Sequence, residues 1–208
     1  MAVGQKLRGA VGQGMAGRKE TRRSYCQVCG PGSYAFKAPF SGRYKFVLHG
    51  AGGAAVGGVG GASGAYAEKT LPLVAGQVAT ITVGAARSAV STSVSLPGWP
   101  MVVAGSANGT TPGTATGCDF GLSGSAGGIA GVAGNVGSGL GGGSGGAPGS
   151  GRGGGAGAPG TIEFPGGGGQ DAEVANDTGT TPGGGQAESL GALGPGGDGR
   201  AVVFLAKF

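Results

Sequence analysis

The chain has 208 residues, 56 of them glycine, and a formal net charge of +5. The glycine share is about four times the usual one, and glycine loses the most backbone entropy on folding, so only the glycine-poor parts can form an ordinary core. The sequence contains neither an apolar run of about 20 residues nor the apolar centre of a signal peptide, so we expect cytosolic synthesis without a Sec signal and no membrane insertion.

The first 24 residues carry the whole charge excess. They contain six cationic side chains and a single carboxylate, Glu20, whereas the positive and negative charges of the rest of the chain cancel. We expect residues 1–30 to be an extended anchor that binds an acidic groove on another protein. DNA is the alternative partner, but no aromatic residue precedes Tyr25, so no nucleic-acid partner is expected. The predicted anchor cations are Lys6, Arg8, Arg18, Lys19, Arg22 and Arg23.

Three cysteines, Cys26, Cys29 and Cys118, do not make a disulfide framework. Cys26 and Cys29 have the spacing of half a zinc knuckle, but the second ligand pair is missing unless His49 and Cys118 complete it. We favour two reduced thiols at a domain edge. The sequence therefore predicts neither a metal nor a cofactor, with Cys26 and Cys29 as the weak metal candidates.

The part of the chain from Ser33 to Gly105 alternates between apolar and polar residues with a period of two, which is typical of strands. Helical periodicity is nearly absent. Pro72 predicts an edge strand or a strand end. The predicted strands are 43–49, 65–74, 77–83, with Ala79, Ile81 and Val83 on one face, 89–96 and 101–104.

A last strand, Arg200–Ala206, is apolar on both faces and is therefore expected in the centre of a sheet. The strands that need one another flank a glycine-rich stretch, which makes that stretch an insertion. The predicted fold is an all-β, antiparallel, jelly-roll-like β-sandwich. Its predicted segments are the anchor 1–30, the sandwich 31–118, the insertion 119–195 and the closing strand 196–208.

Glycines in the insertion recur every third residue. Examples are Gly121, Gly124 and Gly127, and then the run that starts at Gly128. A period of three is that of polyproline II, whose backbone groups must find partners outside their own helix. Proline is too sparse for collagen, and the alternative is a disordered linker. We predict that 121–160 is mostly ordered, as several short helices folded back on one another.

The sequence shows no recognisable catalytic set, so we expect no enzyme. His49 is the only histidine, no carboxylate lies at a recognisable spacing from it, and a turn or interface position is favoured. Asp171, Glu173 and Asp177 lack the spacing of a calcium loop and are read as a solvated loop. For Trp99, packing in a core or interface is favoured over a sugar platform.

The stretch Gly32–Gly84 resembles the glycine-rich domain of bacteriophage tail-fibre and adhesin proteins. The similarity rests on an opening strand, the run "GAGG" at 50–53, the strand "GAYAEK" at 64–69, the turn "GQ" at 76–77 and the close "TVG" at 82–84. The ending "GPGGDGRAVVFLAKF" also fits. Two departures are His49, where the family usually has an aromatic residue, and residues 1–30, which have no counterpart.

This resemblance implies a structural virion protein of a tailed phage, commonly a trimer, in which polyglycine-II helices carry loops that contact a host receptor. Its partners would be a host cell-surface receptor and, through residues 1–30, an adaptor, capsid or neck protein. The breaks in the glycine runs, 118–122, 161–165 and 170–182, would be the contact loops, unless their apolar side chains only cap the bundle. The candidate contact residues are Phe120, Leu122, Ile162, Glu163, Phe164, Asp171, Glu173 and Asp177.

Two other functions fit the composition. One is a capsid-decorating, head-fibre or neck protein that stabilises the particle without touching a receptor. The other is an ice-binding scaffold, which requires a flat face of alanine and threonine.

Overall fold

The computed structural model of the protein describes residues 26–57, 59–129, 134–138, 155–169, 182–185 and 197–206. In these ranges the chain is all-β: ten strands form two antiparallel sheets, and none of these residues belongs to a helix. The predicted all-β class is therefore confirmed.

Each sheet has five strands. The first sheet contains, in spatial order, β1 (Cys26–Cys29), β10 (Arg200–Leu205), β3 (Gly42–His49), β4 (Tyr66–Leu73) and β9 (Phe120–Leu122). The second contains β2 (Gly32–Lys37), β5 (Val78–Val83), β6 (Thr92–Ser95), β7 (Val102–Ala104) and β8 (Ala115–Thr116). The closing strand β10 lies between β1 and β3, so its predicted central place is confirmed.

The two sheets share one hydrophobic core. Alternate residues of β3 and β4 point into it from the first sheet, and Ala79, Ile81 and Val83 point into it from β5, as the alternation predicts. Aromatic rings fill its centre: Phe36 meets the rings of Tyr44 and Phe46 edge to face, at centroid distances of 5.4 and 6.0 Å. Burial of this apolar surface stabilises the two-layer arrangement.

Several strands extend the sheets beyond the segments expected from the sequence. β1 lies within the predicted anchor and pairs with β10, and β9 lies within the predicted insertion and pairs with β4. Pro72 is tolerated in β4 because β9 covers β4 only from Tyr66 to Glu68, so no partner on that side needs an amide from residue 72.

The bundle of glycine helices expected for residues 119–195 is not seen. The described parts of that stretch contain no helix, and 130–133, 139–154, 170–181 and 186–195 lie outside the described residues. In the described parts, glycine-rich segments bond to one another through their backbones. Segments that the sequence assigned to the sandwich take part as well. We call these segments the glycine layer: 50–57, 59–65, 105–114, 123–129, 134–138, 155–160, 166–169, 182–185 and 197–199.

The glycine layer lies at one end of the two sheets. It follows β3 at Gly50, precedes β4 at Ala65 and precedes β10 at Gly199. The opposite end, which we call the open end, is formed by loops 38–41, 74–77 and 96–101.

Candidate functional site

The segment 59–65 lies in the middle of the glycine layer, and its partners change with a period of three. From Gly60 onward, residues three apart donate to the same neighbouring segment, while the residues between them turn to other segments. The bonds are Ala62 to Gly109 and Ala65 to Gly105 (3.0 and 2.9 Å), Gly60 to Gly128 and Ser63 to Ser125 (2.8 and 2.9 Å), and Gly64 to Gly183 (3.2 Å). Gly61 accepts from Ala156 at 3.0 Å on the same side as Gly183.

The backbones of this layer touch without room for side chains. A Cβ atom built on Gly64 would lie 2.2 Å from the carbonyl oxygen of Gly50, and one on Gly127 would lie 1.9 Å from that of Gly60. Both distances are far shorter than any real contact of a Cβ atom. Glycine is therefore required here by close approach of the chains.

Loop 161–165 projects from the glycine layer onto the outer face of the first sheet. Segments 155–160 and 166–169 lead into and out of it and are joined by a bond from the Ala158 amide to the Gly167 carbonyl (2.9 Å). The loop closes on itself, since the Thr161 amide donates to the Phe164 carbonyl (2.9 Å) and the Phe164 amide donates to Thr161 Oγ1 (3.2 Å). The loop is thus held at both ends and across its middle.

Phe164 fixes this loop to the sheet. It is buried with Val47, Tyr66 and Val202 in a second, smaller apolar cluster, and its ring stacks on Phe204 at 5.7 Å. In the same loop the side chain of Ile162 is 86% exposed, and Glu163 is exposed. Loop 161–165 therefore has a buried anchor and an exposed tip.

The predicted contact residues of β9 lie beside this anchor. Leu122 is partly buried against the second cluster, and the ring of Phe120 lies 6.1 Å from that of Tyr66 while remaining about half exposed. The structure thus brings Phe120, Leu122 and Phe164 together around Tyr66. Asp171, Glu173 and Asp177 lie outside the described residues, as do the anchor cations Lys6, Arg8, Arg18, Lys19, Arg22 and Arg23.

A polar group under the loop was not predicted. The Tyr66 hydroxyl donates to Glu68 Oε1 and lies 3.3 Å from Thr161 Oγ1, and Glu68 pairs with Lys45 at 2.7 Å. Burial, and then the hydrogen bond to Glu68, raise the pKa of Tyr66, so the phenol stays protonated. One signal was available: Tyr66 and Glu68 are two apart in a strand and must share a face.

His49 is buried at the end of β3, where the sequence favoured a turn or interface position. Its ring meets that of Tyr66 at 4.8 Å, and neither ring nitrogen has a hydrogen-bond partner among the described residues. Burial, and then the charge of Arg200, lower the pKa of His49 to about 3. The ring is therefore neutral near pH 7 and serves as packing.

The described residues offer no metal site of three or more histidine, cysteine or acidic side chains. Cys29 is buried in the main core and Cys118 is half-buried, while Cys26 opens β1. None of the described residues belongs to a helix long and apolar enough to cross a membrane. No model of a known protein family matches the chain, and no curated protein matches it either.

Proposed function

We propose that the protein is a structural virion protein of a tailed bacteriophage, of the fibre or adhesin type, which contributes to attachment to a host-surface receptor. The observation that carries this proposal is loop 161–165, whose exposed tip stands on a rigid base. Ile162 is 86% exposed, whereas Phe164 two residues later is buried against the sheet. Apolar groups exposed at a fixed loop tip are typical of contact surfaces.

Within this proposal the glycine layer is a bundle of polyglycine-II helices inserted in a jelly-roll-like β-sandwich. The support is the period-three exchange of backbone hydrogen bonds around 59–65, because polyproline-II-type helices have three residues per turn and no internal bonds. The contacts of Gly64 and Gly127 with neighbouring carbonyls also favour it, since only glycine faces let such helices approach closely.

The receptor-contact set in this proposal is Ile162, Glu163 and the exposed part of Phe120, with Leu122 and Phe164 as their support. The purified protein is expected to adsorb to host cells and to block infection by the phage. An Ile162→Asp variant is expected to lose most of this block, while Val136→Asp, on a valine of the glycine layer that is 67% exposed, keeps it. Equal blocking by both variants would contradict the role of loop 161–165.

The second candidate is a capsid-decorating, head-fibre or neck protein without receptor contact. It is favoured by the apolar side chains at the open end, such as Met101 at 54% exposure, which offer a surface for attachment to a particle. Particles that lack the protein would then lose stability, while the purified protein would not block adsorption. In either case we propose a homotrimer on the virion, and light scattering that returns a monomer would contradict the trimer.

A further inference from the structure

The open end exposes a row of large apolar side chains. We propose that this row is a docking surface for a protein partner whose own surface is apolar at its centre and acidic around it. We call the row the open-end patch; its members are Phe40, Val74, Val78, Trp99 and Met101. The inference rests on the proposed function, because it takes this partner to be a component of the virus particle.

The loops and strand ends that carry the open-end patch adjoin one another. The Ala75 amide donates to Ser41 Oγ (3.0 Å) and the Ala38 amide donates to the Gln77 carbonyl (2.9 Å), which joins the loops that carry Phe40 and Val74. β5, β6 and β7 follow in order along the second sheet, with spacings of about 4.8 Å between neighbouring strands. Val78 begins β5, and Trp99 and Met101 lie in the loop that joins β6 to β7, so this part of the patch follows the ends of three adjacent strands.

A rigid turn fixes the backbone of Trp99 at the surface. Its amide donates to the Leu96 carbonyl at 3.1 Å, Pro97 follows Leu96, and Gly98 has a φ of 82°, which together make a type II turn. Pro97 and Pro100 restrict the backbone on both sides of Trp99. A tryptophan that is 44% exposed on such a turn loses little freedom when it is bound, and tryptophan is enriched among residues that dominate binding.

The charges at the open end decide which occupant fits. Lys37 and Arg43 are exposed there, whereas the nearby carboxylate of Asp119 is paired with Lys69 at 2.6 Å. β1 begins at the same end, because Cys26 pairs with Phe204 close to the end of β10, and the sequence before β1 has a net charge of +5 over residues 1–24. A second copy of the chain, or its own basic segment, would bring like charges together. An acidic partner is complementary.

The test uses the full chain and virus particles assembled without it. Wild-type protein is compared with a Trp99→Ser/Met101→Ser double variant and with a matched control at the glycine layer, Val56→Ser/Ile129→Ser, whose side chains are at least as exposed. The open-end variant is expected to bind in at least about tenfold fewer copies per particle, and the control at the wild-type level. Wild-type binding by both variants would overturn the docking surface and leave the proposed function standing. Failure of wild-type protein to bind particles would overturn both the docking surface and the proposed function.

Two further measurements separate the surface from a folding defect and from other occupants. Lys37→Glu/Arg43→Glu alters only exposed side chains, and it is expected to weaken particle binding at low salt more than at high salt.

Trp99 is the only tryptophan, so its fluorescence reports on the patch alone. In the dilute isolated protein, iodide is expected to quench it readily, and particle binding is expected to protect it. Protection in the dilute protein would assign the patch to the chain's own basic segment, and protection that grows with protein concentration would assign it to a second copy. Either result would overturn the proposal.

Discussion

Replacing Gly64 by alanine tests whether the glycine layer is held together by direct backbone contact. The new Cβ atom would lie 2.2 Å from the Gly50 oxygen and 2.3 Å from its carbonyl carbon, and both are backbone atoms that cannot rotate away. The two segments must therefore separate. Separation strains two buried hydrogen bonds, from Gly64 to Gly183 (3.2 Å) and from Gly50 to Ala65 (2.8 Å).

The cost of this change can be worked from its parts. Overpacking costs about 1–3 kcal/mol, and each buried polar group left without a partner costs about 1–3 kcal/mol. Loss of glycine flexibility from the unfolded chain returns about 0.4–1 kcal/mol. With one group left unpaired, these figures sum to a net destabilisation of about 1–6 kcal/mol for the Gly64→Ala protein, or a fall of roughly 2–24 °C in Tm for a chain of this size.

Thermal and denaturant unfolding measure this effect, with Gly30→Ala as the matched control. Gly30 is exposed, a Cβ atom there meets nothing within 4 Å, and its φ is not in the left-handed region. The control is expected to unfold within about 0.5 kcal/mol of wild type. If the Gly64→Ala protein were within 1 kcal/mol of the control (about a fivefold change in the unfolding equilibrium), the segments at 50 and 64 would not be in contact.

Three further predictions concern the first sheet and loop 161–165, which packs on it. Because the pKa of His49 is about 3 in the fold and 6.5 as the ordinary value, its contribution to stability is complete above pH 6.5 and lost as the pH falls toward 3. We expect a loss of about 2–3 kcal/mol between pH 8 and pH 4.5, and a His49→Phe variant that keeps the full slope would refute this origin. Phe164→Ala is expected to cost about 2–4 kcal/mol in denaturant unfolding because Phe164 is buried, while Ile162→Ala in the same loop stays within about 0.5 kcal/mol; similar costs for both would contradict the buried anchor. The exposed pair Lys69–Asp119 is expected to show a coupling energy of about 0.2–1 kcal/mol in a double-mutant cycle that weakens with salt, and a coupling well above that range would show that solvent does not screen it.

The strands of the core could be predicted from the sequence because a period of two leaves a local signal. β3, β5 and β10 alternate or carry continuous apolar runs, and the structure places them where that pattern requires. β8 and β9 could not be predicted in the same way. They have two and three residues and contain or adjoin glycine, so their identity as strands depends on distant partners such as β4 and β7.

The candidate site depends on contacts that join distant parts of the chain. Phe120 and Phe164 were singled out because they interrupt glycine runs, but only the fold shows that both lie beside Tyr66. His49 was expected at a turn or interface because it ends a strand, and it is buried because the glycine layer and loop 161–165 cover that end. The period of three in the glycines could be read locally. The neighbouring segment that each residue contacts could not be predicted from the local sequence.

Amide hydrogen exchange at residues 60–65 tests most directly whether the glycine-rich part of this protein is an ordered lattice of backbone hydrogen bonds. The amides of Ala62, Ser63 and Ala65 donate to two other segments and are buried, so we predict protection close to that of β3 and β10. Exchange at the rate of a free peptide at these three residues, while β3 and β10 stay protected, would contradict the lattice and the polyglycine-II bundle proposed from it.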